Sequence, residues 1–305
     1  MEQAECPRLS EEFIKVLLES DSQLYFTTRK LNKKLYIHFK GLRKLENLTQ
    51  FTGLKVLYAE GNLIEKIEGL EECSELRCLY LQDNRITEMI GMEYLDKLHT
   101  INLSGNCIQK IEDIEDKTNL GTLHLQRNFI GKNGISDLVE LLNAENLSVL
   151  DLSYNNIDSI DIVQQVIYKL PKLTVLYFQG NPVCDKFTNY RKEFIANMPN
   201  LQYLDQRPVF PDDRRFAKAY LKGGIQGERE ERLKWEREKD QEKMNGHLAF
   251  KEMIQKKRQK DKNVESTSES NQELSQVWSS STDNEESENG DSETEVKKVN
   301  YDDVD

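Results

Sequence analysis

Side chains that bind metals or attack substrates are few in this sequence, with four histidines and five cysteines among 305 residues. His38, His99, His124 and His247 are scattered along the chain, so they do not read as one ligand set or proton relay. The cysteines (Cys6, Cys73, Cys78, Cys107 and Cys184) are odd in number and form no C-x-x-C pair, so free intracellular thiols are expected. No G-x-x-x-x-G-K-[ST], G-x-G-x-x-G or H-E-x-x-H occurs. The run "KGGIQGE" at 222–228 has no strand before it and reads as a turn or helix break. No stretch approaches 18 apolar residues, and the acid-flanked amino terminus lacks the basic region of a signal peptide. A basic surplus is missing too. Residues 263–305 hold 13 acids against 2 bases, whereas residues 1–262 are nearly balanced at 41 and 40. The net charge of −12 therefore belongs to the tail, and nothing favours a nucleic-acid partner. These absences lead us to expect a soluble intracellular protein with no catalytic residues, no cofactor, no metal and no membrane contact; a monomer is also expected.

Leucine at a fixed interval is what the chain has in quantity. "LKVLYAEGNLI" (54–64), "LRCLYLQDNRI" (76–86) and "LHTINLSGNCI" (98–108) are one template moved by 22 residues. Such a period marks a repeat architecture. Seven units on L-x-x-L-x-L-x-x-N-x-I begin at Asn32, Leu54, Leu76, Leu98, Leu120, Leu147 and Leu173. The expected fold is an α/β leucine-rich repeat solenoid with parallel strands on its concave face. In "CLYLQ", Leu79 and Leu81 share one face and Tyr80 takes the other, because strand side chains alternate. One unit cannot enclose its leucines. Stacked units can, each buried leucine contributing roughly 1.5–3 kcal/mol. Where each turn leaves its strand, backbone groups would be stranded inside at about 1–3 kcal/mol apiece. The column Asn62, Asn84, Asn106, Asn128, Asn155 and Asn181 is expected to satisfy them, since an amide side chain both donates and accepts. The first unit has Lys40 at this position.

The flanks read differently. Residues 1–31 are expected to be an N-terminal helical cap, with Ser10 capping a helix whose apolar stripe is Phe13, Ile14, Leu17 and Leu18. The solenoid follows over 32–183. Its two longer units insert "GKNGISDLVELLNAEN" and "DSIDIVQQVIYKLPK", both with helical spacing, so helices are predicted on the convex side. Residues 184–211 form a C-terminal repeat cap and 212–262 a charged helical extension, supported by Glu228/Arg232 and Glu230/Lys234 four apart. Its apolar residues keep no sustained heptad, so an exposed helix with a few docking contacts is expected and a coiled coil is the alternative. Residues 263–305, an acidic Ser-rich tail, are expected to be disordered.

The outward strand-centre column runs Tyr36, Tyr58, Tyr80, Asn102, His124, Asp151 and Tyr177. The next runs His38, Glu60, Gln82, Ser104, Gln126, Ser153 and Gln179. Tyr36, Tyr58, Tyr80, His124, Asp151 and Tyr177 are the candidate partner-binding residues, because tyrosine is favoured at interface hot spots. The tyrosines read equally well as cross-strand neighbours that merely stack on one another.

Two runs carry a more specific likeness: "KLYIHFKGLRKLENLTQFTGLKVLYAEGNLIEKIEGLEECSELRCLYLQDNRI", and "GNPVCDKFTNYRKEFIANMPNLQYLDQRPVFPDDRRFAKAYLKGGIQGEREER". Together they resemble the dynein axonemal assembly factor 1 family of leucine-rich-repeat ciliary proteins, over about residues 24–235. The resemblance implies a non-enzymatic factor for cytoplasmic preassembly of axonemal dynein arms, required for cilium or flagellum assembly. It would bind dynein heavy or intermediate chains and chaperone machinery, and be cytoplasmic and cilium-associated. The alternatives on the same repeats are a structural axonemal subunit or a phosphatase-regulating adaptor.

Overall fold

A computed structural model describes the backbone of residues 7–279, with side chains described through Gln259. By its contacts the chain forms two compact units, Met1–Lys234 and Trp235–Asp305.

The first unit is built on one nine-stranded sheet in chain order. Seven three-residue strands come from the seven repeats: β1 (Lys34–Tyr36), β2 (Val56–Tyr58), β3 (Cys78–Tyr80), β4 (Thr100–Asn102), β5 (Thr122–His124), β6 (Val149–Asp151) and β7 (Val175–Tyr177). All pair in parallel with no slip of register, so Leu35, Leu57, Leu79, Ile101, Leu123, Leu150 and Leu176 form one buried row. The preserved register follows from the period itself. A slip of one residue would turn every leucine to solvent.

The asparagines lie behind the sheet, almost fully buried. Each joins its own turn of chain to the one before it. The amide of Asn106 donates to Leu81 O at 2.9 Å and to Leu103 O at 3.0 Å, while its carbonyl accepts from the Ile86 amide at 3.0 Å. Asn62, Asn84, Asn128, Asn155 and Asn181 repeat the pattern. Where the first unit has Lys40, Asn62 reaches back and accepts from both the Lys40 and Leu42 amides.

At the front, α1 (Glu11–Ser20) begins at Ser10, whose hydroxyl accepts from the Phe13 amide at 3.1 Å. It buries Ile14 and Leu18 against the first repeat's end of the core.

The convex side differs from expectation in the first long unit. Residues 134–137 and 139–143 are two 3₁₀ turns rather than an α-helix, and the burial shows it, with Leu138, Leu141 and Ala144 buried at every third residue. Gly134 sits at φ +87°, which bars a regular helix from starting earlier. The buried Asp137 carboxylate accepts from the Gly131 and Asn133 amides and holds the chain in that tight turn. The second long unit contains α2 (Ile160–Gln165), capped by Ser159 and continued by a short 3₁₀ turn.

At the back, α3 (Tyr190–Asn197) is followed by β8 (Tyr203–Leu204) and β9 (Arg207–Pro208). β8 extends the parallel sheet by an eighth, truncated turn, with Leu204 continuing the leucine row beside Leu176. β9 pairs with it antiparallel and ends the ladder. Asp205, at the turn, accepts from the Phe178 and Gln179 amides at 2.8 and 3.0 Å.

The charged extension is α4 (Pro211–Ser279), broken at Gly223 and Gly224. Gly224, at φ +62° and ψ −151°, occupies a region essentially reserved for glycine. The break lets the chain double back within the first unit. Arg215 pairs with Glu231, the Arg232 guanidinium lies 4.2 Å from the Phe216 ring centre, and Gly227 passes so close to Ala219 that a Cβ would come 2.9 Å from its carbonyl oxygen. Phe216 and Ala217 are buried, and the Arg214 guanidinium donates to Ile195 O, Met198 O and Leu201 O, carbonyls beyond the end of α3's hydrogen-bonding.

The described part of the second unit is the remainder of α4, with its described side chains almost all exposed. The helical backbone passes residue 262, where disorder was expected, and runs to Ser279. Neither proline nor glycine occurs between 247 and 279, and an established helix propagates until something stops it. The rest of the expected tail, 280–305, lies outside the described residues.

Candidate protein-binding face

The register that buries the leucines sets the residues between them in columns on the outer face of the sheet. Tyr36 lies against Tyr58, and Tyr58 against Tyr80. Their rings stack with centroids 4.7 and 4.8 Å apart and planes within 3° and 6°. The separation is the strand spacing itself, so parallel strands carrying tyrosine at one register position place the rings in van der Waals contact. Each ring covers its neighbour's face, and the row presents ring edges outward. His38 meets Tyr36 edge to face at 6.2 Å and Phe39 at 5.6 Å, lengthening the aromatic surface.

Phe39 was not among the sequence candidates. It is 73% exposed and sits at φ +53°, strained for a bulky residue. Its ring lies where a side chain on the next turn would be, since a Cβ on Gly61 would come 2.2 Å from Phe39 Cε1. The sequence signal was the glycine, 22 residues later in the same template position.

His124 and Asp151 continue the column beyond Asn102. With Gln82, Ser104, Gln126 and Arg127 they line a polar cleft of about 270 Å³. Burial pushes the His124 imidazole below its ordinary pKa, and the Asp151 carboxylate opposes that without overcoming it. Asp151 is engaged by the Ser153 amide and hydroxyl. Tyr177 closes the column three strands beyond Asn102, away from the stacked trio. The structure therefore divides the six candidates into a stacked aromatic group (Tyr36, Tyr58, Tyr80), a polar pair (His124, Asp151) and Tyr177 apart.

Among the described residues no group of three or more His, Cys, Asp or Glu is gathered to hold a metal. Burial raises the Cys73 and Cys184 thiols to about 11, so both are protonated at neutral pH. Among the described residues no helix is long and apolar enough to cross a membrane.

Comparison with known proteins follows the same geometry. A family described as leucine-rich repeat matches residues 90–232. Dynein axonemal assembly factor 1 of Peromyscus polionotus is 50% identical over 251 residues, which is 82% of this chain and 39% of that protein. The chain belongs to the dynein axonemal assembly factor 1 family of leucine-rich repeat proteins. The homolog from Drosophila pseudoobscura pseudoobscura is 46% identical over 250 residues, 80% of this chain and 15% of that one. The chain thus spans well under half the length of these curated relatives. An internalin from Listeria monocytogenes shares the fold at a TM-score of 0.50 and 24% identity, covering 58% of this chain and 48% of its own.

Proposed function

We propose that this chain is a non-enzymatic, protein-binding factor for the assembly of axonemal dynein arms, acting in the cytoplasm before the arms reach the cilium. The observation that carries this reading is the 50% identity to a dynein axonemal assembly factor over 82% of the chain. The stacked tyrosines supply the physical counterpart, a preordered surface that loses little entropy on binding. Dynein heavy or intermediate chains and the chaperones that fold them are the proposed partners, met by the chain as a monomer.

Disrupting the gene is expected to leave cilia that lack dynein arms, with heavy chains depleted from axonemes. Normal arms in the disrupted cell would overturn the proposal. Fractionation separates it from a structural axonemal subunit: the factor stays in the soluble fraction, whereas a subunit is released with the arms by salt extraction of axonemes. Replacing Tyr58 and Tyr80 together by alanine is expected to abolish rescue of the disrupted cell while the protein stays folded.

A further inference from the structure

The register that aligns the tyrosines also aligns a row of cations along the N-terminal border of the same sheet. The Lys55 amide donates to Lys33 O, the Arg77 amide to Lys55 O and the His99 amide to Arg77 O, each at 2.8 Å. Residues 33, 55, 77 and 99 therefore stand one strand apart, about 4.8 Å. Lys34 lies two residues before Tyr36 and so on the same face. Lys33, Lys34 and Arg77 are exposed and Lys55 half-buried, and none of the four makes an ion pair or side-chain hydrogen bond with another described residue. The acid beside them, Glu75, is taken up by Lys97. Its carboxyl is held below the usual range first by that hydrogen bond and further by Arg77 and Lys55, as expected beside an electropositive border.

The stacked tyrosines add to that character. Where their faces cover one another, what they present is the positive rim of the ring quadrupole, with the Tyr36 and Tyr58 hydroxyls, which have no hydrogen-bond partner among the described residues, as donors. The opposite border carries Glu60 and Asp83, with His38 beside Glu60. A ligand acidic throughout would be repelled there. One acidic along a single edge would be oriented by the contrast.

We infer that the first three strands form a docking site for an acidic polypeptide segment, its carboxylates along Lys33, Lys34, Lys55 and Arg77 and its apolar side chains against the tyrosine edges. The inference rests on the reading of this sheet as the partner face and adds the chemistry of the partner. Nucleic acid also pairs anions with aromatics, but it fits poorly here. Both faces of Tyr58 and the inner faces of Tyr36 and Tyr80 are already covered by the stack, and Glu60 and Asp83 oppose phosphates on the far border.

The test is selection of a displayed library of random 16-residue peptides on the full chain. Selected peptides are expected to be rich in Asp and Glu with interspersed apolar residues, to bind more weakly as salt rises, and to lose at least about tenfold in affinity to the Lys55→Glu/Arg77→Glu double variant. Lys55→Arg should retain binding, and a thermal midpoint unchanged in both variants separates lost recognition from lost fold. Neutral or basic selected peptides, no selected peptides, equal affinity for the double variant, or tighter binding of a single-stranded RNA would each overturn the inference. The Tyr58→Ala/Tyr80→Ala rescue assay is scored separately. Loss of rescue alongside a failed selection rejects the acidic partner and leaves the partner face standing.

Discussion

At the residue scale, the buried asparagines show how one side chain type can be indispensable without chemistry of its own. Leu81 O accepts from both Asn84 and Asn106, and Leu103 O from both Asn106 and Asn128. Removing Asn106 therefore leaves each carbonyl one partner and strands the Ile86 amide. Asn106→Ala is expected to cost about 1–3 kcal/mol in denaturant unfolding. Asn106→Asp should cost more at neutral pH, because it turns an acceptor toward two carbonyl oxygens in a site that excludes water. An aspartate variant as stable as the native chain would show that the donors do not matter. His124 supplies a second expectation. Its folded pKa lies below the ordinary 6.5, so the folded state resists the proton that the unfolded chain accepts. Stability is full above pH 6.5 and falls as pH drops through the interval down to the folded value. The thermal midpoint of the native chain should decline more between pH 7 and 5 than that of His124→Gln, and parallel curves would reject the assignment.

At the element scale, the doubled-back start of α4 is the least repetitive part of the first unit. It is held by ion pairs of Lys192 and Arg232 with Glu228 and of Arg215 with Glu231, and the chain can reverse because Gly224 adopts a backbone conformation that other residues avoid. No atom lies within 4 Å of a Cβ placed on Gly224, so Gly224→Ala tests the backbone alone. It is expected to destabilise docking of residues 225–234 by about 1–3 kcal/mol. Amide hydrogen exchange should then speed up there and stay unchanged in the repeats. Unaltered protection over 225–234 would mean that the reversal does not depend on glycine. The helix break was legible in "KGGIQGE", but the docking was not. Glu228 and Arg232 are four apart on a helix and read equally as a solvated pair until Lys192, 36 residues back in the chain, is seen to join them.

At the scale of the whole molecule, a solenoid is stabilised by each turn's contact with the next, so its ends decide where it can be cut. A chain ending at Lys234 is expected to unfold within about 0.5 kcal/mol of the full one, since the described side chains beyond it are nearly all exposed. A chain ending at Pro199 loses the buried Leu201, Leu204, Phe216 and Ala217 and uncovers the edge of β7, so it should aggregate or unfold at much lower denaturant. Equal midpoints for the two truncations would contradict the capping role.

The sequence by itself determined the repeat count from β1 to β7, the inward leucine row, the asparagine column and the front cap. All of these are periodic or local, and a period of 22 residues states which side chains share a row before any coordinate exists. Only the tertiary structure decided that residues 134–143 wind as 3₁₀ turns, that Asp205 ends an eighth turn, and that Lys33, Lys55 and Arg77 border the stacked tyrosines. These depend on distances between turns and on backbone angles at particular residues, quantities that a pattern of residue types does not contain.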